Sequence, residues 1–400
     1  ATPAAKAVAR MLALVPAEGL RLVGQTVNDP ATEYQADVAN LAALVQIEKG
    51  TARWPAIISL SIESLNTALN ISNSAPVGRA YANSGHLVVM KWAMWNPWTL
   101  ASSGSQGTLG KVDIPALVDP SSANYNLAAN VAARAVWMPW LDAVAAEFAK
   151  FIDPDFGGHP DNVIIFRPLS EMTGDWNWYG HRTREEYLGL WHFIFDYYTN
   201  TKHLNHLLWC HESAQSEHHY LIENGGIIKP GLNVNATPAS DGITTGNSNT
   251  KPVPADYYYP GDEEVDIMGH NLYDNDWVLP NDLNAVFRSY PKIYAFPQAG
   301  VSTNKTTAIL FDNLNYPNRI AASFPRASFF IPWSTFTTNG GSVTVHHAIR
   351  SNPNASLMMT DPRIITDSWM TAVQQWERNT HSPFTLPLSL NLTSNRSASN

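Results

Sequence analysis

Four hundred residues, 44% hydrophobic and 15% charged, suffice for one large globular core, and a formal charge of −9 with no basic block argues against a nucleic-acid partner. No run reaches the ~18 apolar residues of a helical membrane span, and the single cysteine, Cys210, excludes an intrachain disulfide. The 14 tryptophans fit either a large core or a sugar-binding cleft, since an aromatic face complements the apolar C–H face of a pyranose.

Residues 1–19 read as a short helix stopped near Pro16 and Gly19. Leu20–Gln25 is the first strand, Ala36–Ile47 an amphipathic helix, and Ala56–Ile62 the second strand. Glu63, just past it, is a reserve carboxylate or a polar rim residue. His86–Trp92 is the third strand; Trp95 and Trp98 follow it and are free to line a cleft. Leu100–Asn126 is Gly/Ser-rich and reads as a long loop over one end of the fold. Ala128–Phe151 is helical by spacing, with Trp140, Val144 and Phe148 on one face, and Pro139 should kink or restart it.

The fourth strand, Val163–Phe166, is a continuous apolar run closed by Arg167-Pro168, the pattern of a strand buried on both faces. Glu171, Trp176, Trp178 and Tyr179 come directly after. One reading pairs Glu171 with Arg167 and buries the rings; the other sets an acid beside sugar-sized aromatic faces. Thr183–Glu186 is a capping box opening a helix whose Tyr187, Trp191, Ile194, Phe195 and Tyr198 repeat at core spacing. Leu207–Cys210 is the fifth strand. The HESAQSEHHY run beyond it lacks metal-ligand spacing and reads as a polar rim loop, with His211 near a substrate. Residues 225–259 form an extended loop. Val265–Leu272 is the sixth strand, ending in Tyr273. Lys292–Pro297 is the seventh, followed by Gln298, and Ala327–Pro332 is the eighth, followed by Trp333. Eight strands with intervening helices give an α/β fold: a single (β/α)8 TIM barrel over 1–385 with long loops at its C-terminal face, and a loosely packed tail over 386–400. In such barrels chemistry sits where strands end.

The stretch RPLSEMTGDWNWYG resembles the signature of family 26 glycoside hydrolases, the β-mannanases and β-1,3-xylanases, through Arg167, Pro168, Glu171, Met172, Gly174, Trp176, Trp178 and Gly180. The resemblance implies that Glu171 is the catalytic acid/base, that Tyr273 interacts with the nucleophile, and that position 298 is the nucleophile. Retaining glycosidases need two carboxyl groups about 5–5.5 Å apart, and the ends of strands four and seven face each other at about that reach. Arg167 would brace the site. Trp92, Trp95, Trp176, Trp178 and Trp333 are stacking candidates, with Ser170, His211 and Asn271 as further substrate-binding candidates. Glu171 should hold its proton near neutrality when the site is loaded. No cofactor and no metal are implied, and the partner is a polysaccharide or oligosaccharide met by a monomer, with no nucleic acid and no membrane.

This chain departs from the family pattern at three positions. Gln298 replaces the nucleophilic glutamate, Ser170 replaces a histidine before Glu171, and Ala93 replaces the histidine after Trp92. Three readings of Gln298 compete: a Glu→Gln replacement that holds substrate without cleavage, an inverting hydrolase using Asp274, Asp276 or Glu212 as base, or a non-catalytic glycan-binding protein. The two lost histidines leave mannan as a default and β-1,3-xylan, mixed-linkage glucan or a decorated glycan open. Asn-x-Ser/Thr sequons at Asn70, Asn235, Asn304, Asn354, Asn391 and Asn395 lean towards a secreted glycoprotein, and no signal peptide is visible at Ala1, as in a mature form.

Overall fold

The apolar runs pair in parallel and in chain order. In the computed structural model, β1 (Arg21–Val27), β2 (Ile57–Ser61), β3 (Leu87–Trp92), β4 (Ile164–Pro168), β5 (Leu207–Ser213), β6 (Ile267–Tyr273), β7 (Ile293–Gly300) and β8 (Ala327–Pro332) form one sheet. β8 returns to β1 through Leu22↔Phe329 and Val23↔Phe330 and closes the (β/α)8 barrel. The structure describes residues 1–64, 66–101, 112–173, 177–180, 182–214, 256–273, 289–300, 310–338 and 343–368. Trp176, His218, His219, Asp274, Asp276, nearly all of 225–259, the tail from 386 and the sequons at Asn235, Asn304, Asn391 and Asn395 lie outside them.

Both faces of every strand are buried, and the two faces feed different cores. Inward side chains such as Leu22, Ile57, Val89, Ile165, Cys210 and Phe329 fill the barrel. The first helix, α1 (Pro3–Leu14), joins this inner core with Val8, Met11 and Leu12. It starts where Thr2 Oγ1 accepts from the Ala5 amide at 3.1 Å and proline fills the first turn. Thr2 N–H donates to the Asn205 carbonyl just before β5 at 2.8 Å, and Ser328 Oγ donates to the Leu12 carbonyl at the start of β8. The helix therefore plugs the N-terminal end, each large buried side chain contributing about 1.5–3 kcal/mol, and leaves the C-terminal end as the mouth.

Outward side chains, among them Val88, Met90, Phe166 and Trp209, pack under the helices α2 (Asn40–Lys49), α3 (Ile71–Asn83), α4 (Ile114–Val118), α5 (Ala128–Ala149) and α6 (Arg184–Asp196). The α3 helix has no strong apolar stripe because small residues make its contact. A Cβ on Gly78 would stand 3.1 Å from carbons of Leu60, Val88 and Phe151, so glycine lets this helix lie close on β2 and β3. The α4 helix lies inside the stretch expected to be loop. The α5 helix runs through Pro139 without restarting. The α6 helix opens with the expected capping box between Thr183 and Glu186. Among the described residues no helix is long and apolar enough to cross a membrane.

Candidate active site

Register sets which side chains reach the mouth. Lys91 pairs with Arg167 across β3 and β4, so both project inward, while their neighbours Trp92 and Pro168 do not. Arg167 is fully buried and each of its three nitrogens donates a hydrogen bond. Nε donates to Glu212 Oε2 at 2.9 Å and Nη2 to Glu212 Oε1. Nη1 donates to the Pro297 carbonyl at 2.8 Å, and Nη2 also reaches Gln298 Oε1 at 3.3 Å. Ser170 Oγ adds a bond to Glu212 Oε2 at 2.8 Å. Burial works to lower the guanidinium's pKa, but the Glu212 carboxylate outweighs it and holds the group above its ordinary value.

Beyond β4 the chain turns sharply. Leu169 and Glu171 both take left-handed backbone angles, φ 52° and 58°, which costs a side-chain-bearing residue about 1–2 kcal/mol. The turn is held by Asn177 Nδ2, which donates to the carbonyls of Ser170 and Glu171 at 3.0 and 3.2 Å, and by the Tyr179 hydroxyl, which donates to the Ser170 carbonyl at 2.7 Å. The result aims Glu171 across the mouth. Its Oε1 accepts from Asn271 Nδ2 at 2.7 Å and from Gln298 Nε2 at 3.1 Å. Tyr273, at the end of β6, shares a side-chain hydrogen bond with Gln298. Burial, and then the charge of Glu171, push its phenol well above the ordinary value, so it stays a neutral hydroxyl. Gly300 makes this fit possible: a Cβ there would lie 2.9 Å from both the Tyr273 and His347 rings.

The facing wall comes from β2, β3 and β8. Lys91 Nζ lies 3.3 Å from Glu63 Oε1 and 4.6 Å from the centroid of the Trp333 ring. Glu63 Oε2 accepts from the Ala93 amide at 3.2 Å. Trp333 is half-buried, as is Trp95 on the loop leaving β3.

The structure thus gathers Arg167, Glu171, Asn271, Tyr273 and Gln298 into one site, with Trp333 beside it, its backbone N–H donating to the Ala299 carbonyl at 2.8 Å. Four expected substrate contacts are corrected. Trp92 is fully buried and points outward into the layer under the helices. Trp178 is equally buried, its Nε1 donating to the Met94 carbonyl at 2.7 Å. His211 also faces outward; its Nε2 bonds the Tyr258 carbonyl at 3.1 Å between the rings of Tyr187 and Trp191. Ser170 is buried and spends its hydroxyl on Glu212. Trp98, too, is tied down, its Nε1 donating to Asn130 Oδ1 at 2.8 Å. Glu212, weighed above only as a possible base, is the counter-ion of Arg167, and Lys91 was not singled out at all. Alternation from the inward Leu208 and Cys210 places Glu212 inside, which a reading by strand parity recovers. The described residues hold no group of three or more His, Cys, Asp or Glu fit for a metal ion.

A closed parallel barrel with an acid and a carboxyl-shaped side chain in contact over its C-terminal mouth has the layout of a (β/α)8 glycoside hydrolase. The sequence comparison narrows this: residues 4–224 match glycosyl hydrolase family 26, and the chain belongs to that family. It is 23% identical over 301 residues to the mannan endo-1,4-beta-mannosidase A and B of Caldalkalibacillus mannanilyticus, covering 71% of this chain and 48% of that protein. It is 25% identical over 195 residues to the mannan endo-1,4-beta-mannosidase of Bacillus subtilis strain 168, covering 46% of this chain and 43% of the relative. The chain therefore spans about half the length, or less, of these curated relatives. Its fold is that of a Bacillus subtilis mannanase, with a TM-score of 0.63 at 19% identity over 92% of this chain and 93% of the other. A β-mannanase from a symbiotic protist of the termite Reticulitermes speratus superposes with a TM-score of 0.53 at 19% identity, over 88% and 91%.

Proposed function

We propose that this mouth is the site of a β-mannanase-type glycoside hydrolase of retaining design, with Glu171 as acid/base, position 298 as the nucleophile station and Tyr273 orienting that station. The observation that carries this reading is the direct contact of Gln298 Nε2 with Glu171 Oε1 at 3.1 Å. An inverting site keeps its carboxyl groups ~6.5–9.5 Å apart to admit water, and side chains in contact leave no such gap. Glu212 is a poor base in any case, because Arg167 and Ser170 already occupy its oxygens.

With carboxylates at both positions, 298 attacks the anomeric carbon while Glu171 protonates the departing glycosidic oxygen; water, deprotonated by Glu171, then frees the sugar from its ester. The neighbouring negative charge also keeps a proton on Glu171. Gln298 removes both contributions at once, since an amide neither attacks nor repels. As it stands, the chain holds glycan without cleaving it, which is also what the non-catalytic binding reading expects. The two readings part at Gln298→Glu. On β-1,4-mannan that variant should release oligosaccharides whose first-formed anomer is β by proton NMR, and the unmodified chain should release none. Binding without cleavage by the variant would make the protein a glycan-binding member of its family.

Secretion accompanies this reading, because polysaccharide is met outside the cell. Of the two described sequons, Asn354 is exposed, while Asn70 is buried and accepts from Asn73 Nδ2 at 2.7 Å. Protein from a eukaryotic secretory host should carry N-glycan at Asn354 and not at Asn70, as read by peptide mapping after deglycosylation.

A further inference from the structure

The lysine at the mouth is unexplained by a reaction on neutral sugar. Lys91 is 9% exposed, and an ammonium carries three N–H donors. Among the described residues its one ionic partner is Glu63 at 3.3 Å, and its one other partner is the indole of Trp333. Burying a cation with donors left over is costly unless something supplies acceptors. Arg167 on the next strand shows the alternative, all three of its nitrogens donating to protein in four hydrogen bonds.

Three further observations bear on what supplies them. First, the half-buried Trp333 ring lies 4.6 Å from the Lys91 ammonium, and its backbone N–H donates to the Ala299 carbonyl next to Gln298, so a sugar resting on that ring meets the ammonium. Second, Glu63 holds Lys91 through one oxygen and the Ala93 amide through the other. The cation therefore sits beside a position where a methyl group stands in place of a larger side chain. Third, Gln298 is uncharged. An amide there adds no negative charge to that of Glu171, so an acidic sugar meets one carboxylate at the reacting centre and not two.

We propose that the mouth recognises an acidic β-glycan, a chain of mannan-like linkage carrying a carboxylate, with Lys91 as the residue that determines this preference. The inference rests on the assignment of this mouth as the glycan site. The substrate's carboxylate shares the ammonium with Glu63 and takes its unused donors in charge-assisted hydrogen bonds.

Two probes isolate the carboxylate. β-1,4-Mannohexaose and β-1,4-hexamannuronate share linkage and ring stereochemistry and differ in the oxidation of C6. By isothermal titration at low salt, the unmodified protein should bind the uronate about tenfold or more tighter, as a charged hydrogen bond implies. Lys91→Met should abolish that preference, read as the ratio of the two dissociation constants. Glu63→Gln, which frees the ammonium, should increase uronate affinity, and this holds the inference to account if Lys91→Met does not fold. Equal or better binding of mannohexaose, a preference that survives Lys91→Met, or a loss of uronate affinity in Glu63→Gln each overturns it. If mannohexaose binds and Gln298→Glu cleaves mannan while the uronate is refused, only this inference falls. If neither probe binds and Gln298→Glu cleaves nothing, the assignment of the mouth falls with it.

Discussion

Two acid–base pairs of opposite kind line the two walls of the barrel mouth. On the β4–β7 side Arg167 and Glu212 are fully buried, fork to fork, with further hydrogen bonds to Pro297 and Gln298 from Arg167 and from Ser170 to Glu212. On the β2–β3 side Lys91 and Glu63 meet at 3.3 Å, each side chain about a tenth exposed, and among the described residues Lys91 has no second ionic partner. The planar guanidinium can satisfy a carboxylate, an amide and a carbonyl at once, whereas the ammonium is a point charge on a flexible stem. The first pair is a finished piece of structure that holds position 298 against Glu171. The second is unfinished and turned to the cleft. Charge in a barrel mouth thus has two meanings, and saturation of its hydrogen bonds tells them apart.

The largest effect expected from the first wall is catalytic. In the Gln298→Glu background, Glu171→Gln should cut the hydrolysis of β-mannan by about 10²–10⁴-fold, the usual contribution of a positioned general acid. An aryl mannoside with a good leaving group should lose much less at the first step, since it needs no proton. Equal losses on both substrates would deny Glu171 the role of proton donor.

Next in size is stability. Glu212→Ala leaves Arg167 buried without a counter-ion and should cost about 3–5 kcal/mol. Glu63→Ala should cost less, about 1–2 kcal/mol, because the Lys91 pair is less buried than the Arg167 pair and the ammonium keeps its contact with the Trp333 ring. Urea midpoints of the two variants check the ranking. A reversal would mean that the Lys91 pair, and not the Arg167 pair, is the structural one.

The same contrast explains what could be read in advance. The eight strands, the capping box at Thr183 and the acid at Glu171 are written in local pattern: apolar runs, a Thr-x-x-Glu spacing, a motif bounded by Arg167-Pro168. Facing direction is not. A strand buried on both sides shows no alternation of polar and apolar residues, so nothing in LVVMKW says that Lys91 turns in and Trp92 out. The same lack of alternation hides that Trp92 on β3 and His211 on β5 turn outward and fill the layer under the helices, while Trp178 is buried beyond β4 by its bond to the Met94 carbonyl. The α3 helix was missed for a related one, since Ala75, Gly78 and Ala82 make its contact by being small. The turn at Leu169–Glu171 depends on Asn177 and Tyr179, whose bonds to the Ser170 carbonyl have no signature in sequence.

Outside the mouth, acid should weaken the protein through its outer layer. Burial lowers His206 to about 4 and His211 to about 3, against about 6.5 for a free imidazole. Between those values the unfolded chain binds more protons than the folded one, so stability falls as pH drops from about 6.5 towards 4. Asp37 acts in the opposite sense. Burial, then the charge of Glu33, raise it to about 6, so the folded chain keeps a proton that the unfolded chain has lost, and stability falls as pH rises from about 4 to 6. Two histidines displaced further than one aspartate should win, a net loss on the order of a few kcal/mol by pH 4. The melting temperature followed from pH 7 to 4 should decline, and His211→Phe should flatten that decline. A melting temperature that rises on acidification would mean that Asp37, and not the histidines, governs the acid limb.

The smallest expected effect separates core tryptophan from cleft tryptophan. Trp178→Phe keeps an aromatic body in the outer layer and deletes one hydrogen bond, Nε1 to the Met94 carbonyl. It should cost about 1–2 kcal/mol of stability and leave oligosaccharide affinity unchanged. Trp333→Phe should do the reverse: a half-buried ring that loses area costs little stability, but a sugar resting on it loses contact, and the dissociation constant should rise severalfold. Measured side by side by calorimetry and titration, the two substitutions assign each ring to a wall of the barrel or to its ligand. If Trp178→Phe weakens glycan binding while Trp333→Phe spares it, the floor of the cleft lies on the β4 side, and Lys91 no longer stands next to the sugar.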